Sequence, residues 1–352
     1  MLSRAGARNN GPVPELPDLR ILADAFTASL AGRVLESAKL RQPLVLRGTS
    51  AELRQFAGLT LHRVEQRGKF LTLHLGDDRI VINAMLTGRL GLAEPESRTT
   101  SATALTLGFG PRAGLPPGMT LPAWTRGAEW LPADEAPVEL RYRDARKMGK
   151  VYLLPSGVER VVAGWAELGP DADDPALDLA AWQERIRRHQ GELVNLLRNQ
   201  SFVAGIGNAY SDEVLWQARL APFRRRASLA DEESEALWRA TREVMAWAVE
   251  ELRARVPPTF EKQARDFLRV HLRGGEPCPR CGTTLSEVTP GGFATTWCRA
   301  CQTYDARPAA RPDRSPDRGR GWSLGGCRGV DPGRGPRPHH TSTTARDPGS
   351  QG

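Results

Sequence analysis

Four of the chain's five cysteines, Cys278, Cys281, Cys298 and Cys301, stand in a C-x2-C-x16-C-x2-C pattern. Two close pairs at this separation point to a tetrahedral zinc site under a small hairpin. Thiolates are soft ligands, and four of them close the coordination shell. One structural Zn2+ is therefore expected, and not a catalytic one. Gly291-Gly292 suits the hairpin tip. The competing reading is two redox or disulfide C-x-x-C pairs; the spacing and an expected reducing compartment favour the metal. Cys327 has no partner in the pattern.

At 352 residues, 40% of them hydrophobic, the chain is long enough for about two domains with real cores. It contains no run of eighteen apolar residues, so no membrane span is expected. Residues 1–13 lack the apolar stretch of a secretory signal, and a cytoplasmic location follows. The net charge of +8 invites a nucleic-acid reading, but its distribution weakens the argument. Residues 306–352 hold nine Arg against four Asp, and Arg4 and Arg8 lie within 1–13, which leaves +1 for the span between. A claim of DNA binding has to rest on local motifs.

The pattern changes along the chain. Leu19, Leu22, Phe26 and Leu30 recur at helical spacing over 17–31, with Gly32 placed to end the helix. Leu71, Leu73 and Leu75 alternate with Thr72 and His74, a turn follows at Gly76-Asp77-Asp78, and Ile80-Val81-Ile82 resumes, which reads as a hairpin. Residues 94–137, rich in Gly, Pro, Ser and Thr, read as an ordered loop or insertion. Strand character returns over 138–154. Residues 178–253 read as helical, with a break at Ala204-Gly205-Ile206-Gly207-Asn208. Residues 306–352 are poor in aliphatic side chains and are predicted to be a disordered Arg/Pro/Gly-rich tail.

Two short segments carry chemistry. Pro14-Glu15-Leu16 would suit the N-terminus of an enzyme that uses a secondary amine as nucleophile, although thirteen residues precede it. Within Asn199–Pro222, the two glycines at 205 and 207 let the chain turn tightly between helices. Asn208 then falls near a helix N-terminus, where N–H groups and the dipole favour an anion such as DNA phosphate; an ordinary αα-hairpin with a glycine turn is the plainer alternative.

Four separated segments together resemble the formamidopyrimidine-DNA glycosylase / endonuclease VIII family. PELPD at 14–18 is similar to that family's mature N-terminus, and Arg67-Gly68-Lys69-Phe70 to its RGK strand. AGIGNAYSDEVL at 204–215 is similar to its helix-two-turn-helix, and 275–302 to its zinc finger. The order agrees, and the resemblance covers about 14–302. It implies an α+β fold. An N-terminal β-sandwich with an amphipathic helix would occupy 14–155, and a helical helix-two-turn-helix domain 156–270. A zinc-finger β-hairpin would follow at 271–305.

The resemblance also implies a bifunctional glycosylase/AP lyase and a set of roles. Pro14 would attack sugar C1′, Glu15 would act as general acid and Lys69 would hold phosphate beside the lesion. Leu86, Arg146 and Met148 would fill the gap left by the extruded base, and Asn208 and Arg273 would contact DNA. The partner would be duplex DNA carrying oxidised bases or abasic sites, bound by a monomer with no membrane attachment. Because the amine must be free, residues 1–13 are expected to be an extension or a start-site artefact, with initiation at a valine codon for Val13.

The chain departs from the family at several places. Phe293 stands where an arginine normally grips phosphate, and Val194 where a lysine is frequent. Residues 254–270 lack a glycine-rich loop, and an insertion lies near 111–135. The alternative function is a non-catalytic damaged-DNA-binding protein on the same scaffold, with Pro14 blocked.

Overall fold

The computed structural model describes residues 13–257 and 260–302. The expected N-terminal extension up to residue 12 and the expected tail 306–352 lie outside the described residues.

Helix α1 (Leu16–Leu30) runs through the middle of the fold. Pro17 supplies a preset φ in its first turn, and the Asp18 carboxylate accepts the Glu15 N–H at 2.9 Å, which caps the start. Gly32, at φ 79°, follows its end. The apolar stripe at 19, 22, 26 and 30 is only part of what α1 buries. Thirteen of its fifteen residues are buried, which leaves Arg20 and Asp24 as its wet edge. Such a helix must be covered on nearly every side.

Two sheets do much of that covering. Strands β1 (Arg33–Leu40), β2 (Leu46–Arg47), β3 (Leu61–Arg67), β4 (Phe70–Leu75) and β5 (Asp78–Asn83) come first, after which the chain continues into β6 (Gly88–Ala93), β7 (Thr103–Arg112), β8 (Val138–Asp144) and β9 (Lys150–Leu154). One sheet has the order β1-β7-β8-β6 and the other β2-β9-β5-β4-β3. A short helix α2 (Ser50–Gln55) sits between β2 and β3. Leu71, Leu73, Ile80, Ile82 and Leu153 from one sheet meet Leu35, Leu105, Leu107 and Leu140 from the other in one core, together with α1. The hairpin expected at 71–82 is present as β4–β5, with Leu71 opposite Ile82 and Leu73 opposite Ile80. Its second face is not solvated. Phe70, Val81 and Tyr152 pack under Val162, Trp165 and Leu168.

The reading of 94–137 as loop or insertion is corrected over 103–112, where β7 is an inner strand buried on both faces. Its glycines do not mark turns. A Cβ at Gly108 would lie 2.5 Å from Ser37 Oγ, and one at Gly110 2.1 Å from Glu36 Oε1, so both make room for side chains of β1. Thr106 lies opposite Arg141, a buried residue that pairs with Glu139 and donates to the carbonyls of Glu94, Ser97 and Arg98. The loop 94–98 thus roofs the outer face of the sheet.

The helical part comprises α3 (Leu179–Arg187), α4 (Leu193–Arg198), α5 (Asn208–Gln217) and α6 (Asp231–Arg255), followed by the hairpin β10 (Ser286–Val288) and β11 (Thr295–Trp297). α4 and α5, joined through the glycine turns, form the helix-two-turn-helix. Leu16 at the head of α1 belongs to the helical core, whereas Leu252, Val256 and Phe260, at and beyond the end of α6, belong to the sheet core. The two parts are laced together by α1 and α6. No helix among the described residues is long and apolar enough to cross a membrane.

If β7 is an inner strand, Leu107→Ala should cost about 2–5 kcal/mol in urea unfolding. Leu115→Ala, at an exposed position just beyond that strand, should stay within about 0.5 kcal/mol.

Candidate active site and nucleic-acid interface

Pro14 and Glu15 head α1 and are buried. The Glu15 carboxylate turns to the start of α5. Oε2 accepts the N–H of Gly207 at 2.6 Å and of Tyr210 at 3.2 Å, and Oε1 accepts that of Ala209 at 2.9 Å. A helix N-terminus presents unpaired N–H groups and a positive dipole end, so it satisfies a buried carboxylate well. Leu16 N–H adds a bond to Gly205 O at 2.9 Å. The N–H groups that the sequence offered to a DNA phosphate are therefore taken by the protein's own Glu15.

The two glycines at this turn serve different ends. Gly205 has φ 96°, and a Cβ there would lie 2.5 Å from Leu16 Cβ. Gly207 is needed for space. A Cβ there would fall 2.6 Å from Glu15 Cδ and 2.7 Å from Lys69 Nζ. Lys69 and Glu15 thus converge over one bare backbone position. Burial pushes the Lys69 ammonium below its ordinary range; the Glu15 carboxylate opposes the shift and the Arg198 guanidinium adds to it.

Lys69 is aimed by the turn that precedes β4. Gly68 N–H donates to Asp171 Oδ1 at 2.7 Å, and Gln66 Nε2 donates to Asp171 Oδ2 at 3.1 Å and to Gly68 O at 2.9 Å. Burial raises the Asp171 carboxyl above its ordinary value. Arg198 donates to Ser211 Oγ at 3.0 Å and to Thr295 Oγ1 at 3.1 Å, joining α4, α5 and the finger beside Lys69. Sequence reasoning missed Asp171 and Arg198, because their partners lie far along the chain and no local pattern marks them.

Pro14 lines a small cavity with Asp18, Arg89, Phe260, Lys262 and Gln263. On the other side, Val13 and Lys69 border a cleft of about 510 Å3 with Asn83, Met85 and Asn199. Asp18 does more than cap α1. Arg265 grips it with two bonds, of 2.7 and 2.5 Å, and lies over the Tyr210 ring.

Leu86 and Met148 are both half-buried, in the loops after β5 and β8, and Arg146 is exposed next to Met148. Asp144 ties those loops together. It accepts from Thr87 Oγ1, from the N–H groups of Arg146 at 3.2 Å and Gly149 at 2.7 Å, and from the Tyr142 hydroxyl at 3.1 Å. The more exposed apolar side chain there is Met85, 39% accessible and held at φ 51°.

Asn208 and Arg273 are both engaged by the protein's own atoms. Asn208 Nδ2 donates to Ala294 O of the finger at 2.8 Å, while its Oδ1 is buried without a partner. The Arg273 guanidinium is engaged by Leu268 O at 2.6 Å, Asp266 O at 2.8 Å and Glu276 at 3.1 Å. Asn208 directly follows Gly207, the position that Glu15 and Lys69 flank, whereas Arg273 is tied to the chain leading into the finger. Phe293, at the finger tip, is 54% exposed.

In the finger, the Sγ atoms of Cys278, Cys281, Cys298 and Cys301 all lie within 4.8 Å of one another. Tetrahedral Zn–S bonds of about 2.3 Å require sulfur separations of about 3.8 Å. The pairs Cys278–Cys301 at 4.0 Å and Cys281–Cys298 at 3.5 Å bracket that value. Trp216 Nε1, on α5, donates to Cys278 Sγ at 3.4 Å. The quartet is the site of one structural Zn2+.

Three family profiles match, in the order of these parts. They are the formamidopyrimidine-DNA glycosylase N-terminal domain over 13–151, the H2TH domain of the same enzymes over 168–256, and a zinc finger found in FPG and IleRS over 275–303. The formamidopyrimidine-DNA glycosylase of Thermomicrobium roseum is 32% identical over 305 residues, covering 82% of this chain and 99% of that protein. The chain belongs to the formamidopyrimidine-DNA glycosylase family. The crystal structure of MutM (FPG) from Thermus thermophilus is 28% identical, with a TM-score of 0.65 over 82% of this chain and 98% of that one. A Lactococcus lactis FPG bound to Fapy-dG-containing DNA shares the fold, with a TM-score of 0.68 at 24% identity over 82% of this chain and 99% of that one. As a formamidopyrimidine-DNA glycosylase family member, the chain has one stretch, 257–274, that falls between the second and third profiles.

Gly207→Ala should destabilise the fold by about 1–3 kcal/mol, because its Cβ would enter the Glu15–Lys69 contact. Gly114→Ala, where a Cβ meets nothing within 4 Å, should shift urea unfolding by less than about 0.5 kcal/mol. Equal effects would contradict the packing described here. Cys298→Ser should release the metal; a variant that retains a full equivalent of zinc by elemental analysis would show that the quartet is not its ligand set.

Proposed function

We propose that this protein is a bifunctional DNA glycosylase/AP lyase of base excision repair, excising oxidised bases from duplex DNA in the bacterial cytoplasm. The observation that carries the reading is the convergence of Glu15 and Lys69 at Gly207, with Pro14 directly preceding Glu15. The active form is one in which the Pro14 nitrogen is a free amine, since an amide nitrogen has no lone pair to give.

An α-amine has a pKa of about 8, so roughly a tenth of it is neutral at pH 7. In the proposed reaction the Pro14 nitrogen attacks C1′ and the C1′–N bond to the base breaks. The base departs with a proton supplied by Glu15 as general acid. The N–H proton of the adduct then passes to O4′ as the C1′–O4′ bond opens, and because the amine is secondary the resulting C1′ iminium stays cationic. That electron sink acidifies the C2′ proton, and β-elimination then breaks the 3′ C–O bond. Lys69 would hold phosphate beside the reacting sugar. The base leaves the stack to be reached, and Leu86, Arg146 and Met148 are the proposed occupants of the gap. Asn208 and Arg273 would act on DNA mainly through the finger and the chain leading to it, which their hydrogen bonds brace. The relatives' names and the Fapy-dG complex of the Lactococcus protein support an oxidised-purine substrate class.

Glu15→Gln keeps the amine and removes the acid. Base excision should fall by about 100-fold or more, while cleavage of a preformed abasic site falls far less, since no base has to leave there. Excision at the parental rate would rule out Glu15 as the acid. Pro14→Gly, with a primary amine in place of the secondary one, should trap poorly with borohydride on abasic duplex.

A further inference from the structure

The connection between β7 and β8 contains two tryptophans that face inward. Trp124 Nε1 donates to Asp24 Oδ2 of α1 at 2.7 Å, and Arg253 of α6 lies 5.7 Å from the centre of its ring. Trp124 and Trp130 are 5.8 Å apart. Trp130 meets Phe260 edge-on at 5.3 Å, and Phe260 meets Phe26 of α1 at 5.6 Å. These four rings form a continuous ladder from the insertion to the chain just beyond α6.

Phe260 opens a segment that borders the Pro14 cavity. Glu261 is ion-paired with Arg143 of β8. Lys262 and Gln263 line the cavity, and Gln263 Oε1 is buried without a hydrogen-bond partner. Arg265 grips Asp18, whose carboxylate also accepts the Glu15 N–H. The far end is fixed as well, because Glu213 of α5 accepts the N–H groups of Arg269, Val270 and His271 at 3.1, 2.8 and 3.0 Å. The segment lies between the H2TH and zinc-finger profiles.

We propose that the insertion 113–137 is an internal brace, with Trp130 and Phe260 acting as positioning residues that hold 260–265 as a wall beside Pro14. The wall arrives in place before DNA binds, so its ordering is not charged against each binding event. The cavity that Gln263 lines holds about 10 Å3, room for a water and not for a base, so the wall stands closed against the head of α1. This inference rests on the proposed reaction, in which the damaged base is released at Pro14.

Two variants test it in the form of the protein with a free Pro14 amine. Trp130→Ala removes the rung, and Trp130→Phe keeps an aromatic ring there. Single-turnover excision of an oxidised base should fall on the order of tenfold in Trp130→Ala, because a displaced wall misplaces the base. Cleavage of a preformed abasic duplex, which places no base against the wall, should stay within about twofold of parental, and Trp130→Phe should restore most of the excision. Hydrogen exchange should quicken over 260–268 in Trp130→Ala and remain unchanged over 286–297. Equal loss of both activities, or unchanged exchange over 260–268, would overturn the brace. A parental protein inactive on every lesion would instead defeat the glycosylase reading, and the exchange measurement would still decide whether the brace exists.

Discussion

Everything at the site hangs on the carboxylate of Glu15 lying against the first turn of α5. A carboxylate that is 2% exposed must find donors, and charge-assisted hydrogen bonds of this kind contribute about 1.5–3 kcal/mol each. Three N–H groups from three residues of one helix start define the position of Glu15 closely, and with it that of Pro14. The same contact joins the sheet part to the helical part, since Leu16 enters the helical core one residue later. Gly205 and Gly207 exist to let this approach happen.

α5 then organises the rest from its own side chains. Glu213 gathers the chain at 269–271, beyond the proposed wall. Asp212 accepts the Thr296 N–H of the finger at 3.1 Å and pairs with His271 at 2.8 Å. Burial pushes the Asp212 carboxyl up to about 6, with the His271 contact opposing it. Trp216 reaches the zinc ligand Cys278, and Arg280 stacks on its ring at 4.0 Å. One ten-residue helix therefore holds Pro14 and Glu15 at its start, the 269–271 chain along its side and the metal finger near its end. That explains why it is buried from Ala209 to Trp216 although its sequence has no apolar stripe.

Much of this is legible in the chain because it depends on local rules. The cysteine spacing, the hairpin at 71–82, the helix from 17 to 30 and the break before Asn208 are each set by residues a few positions apart. What escapes depends on long-range contact. Gly108 and Gly110 look like turn residues until Ser37 and Glu36 are seen above them. Gly207 looks like half of a turn signal, but the space it leaves belongs to Glu15 and Lys69, from two other elements. Asp171, Arg198 and Arg265 carry no motif, and each is defined by a partner whose proximity only the fold creates. The start of α5 is an anion site, as its sequence suggests; that the anion is an internal glutamate, 192 positions away, is not written in any local pattern.

In the proposed reaction this arrangement presents the Pro14 nitrogen to the sugar, with Lys69 in a supporting role. Peptide mapping of the borohydride-reduced complex with an abasic duplex tests it most directly. The reduced sugar remnant should be carried on the α-nitrogen of a peptide beginning at Pro14. A remnant found on Lys69, or on any residue of a chain in which Pro14 remains amide-bonded, would contradict it.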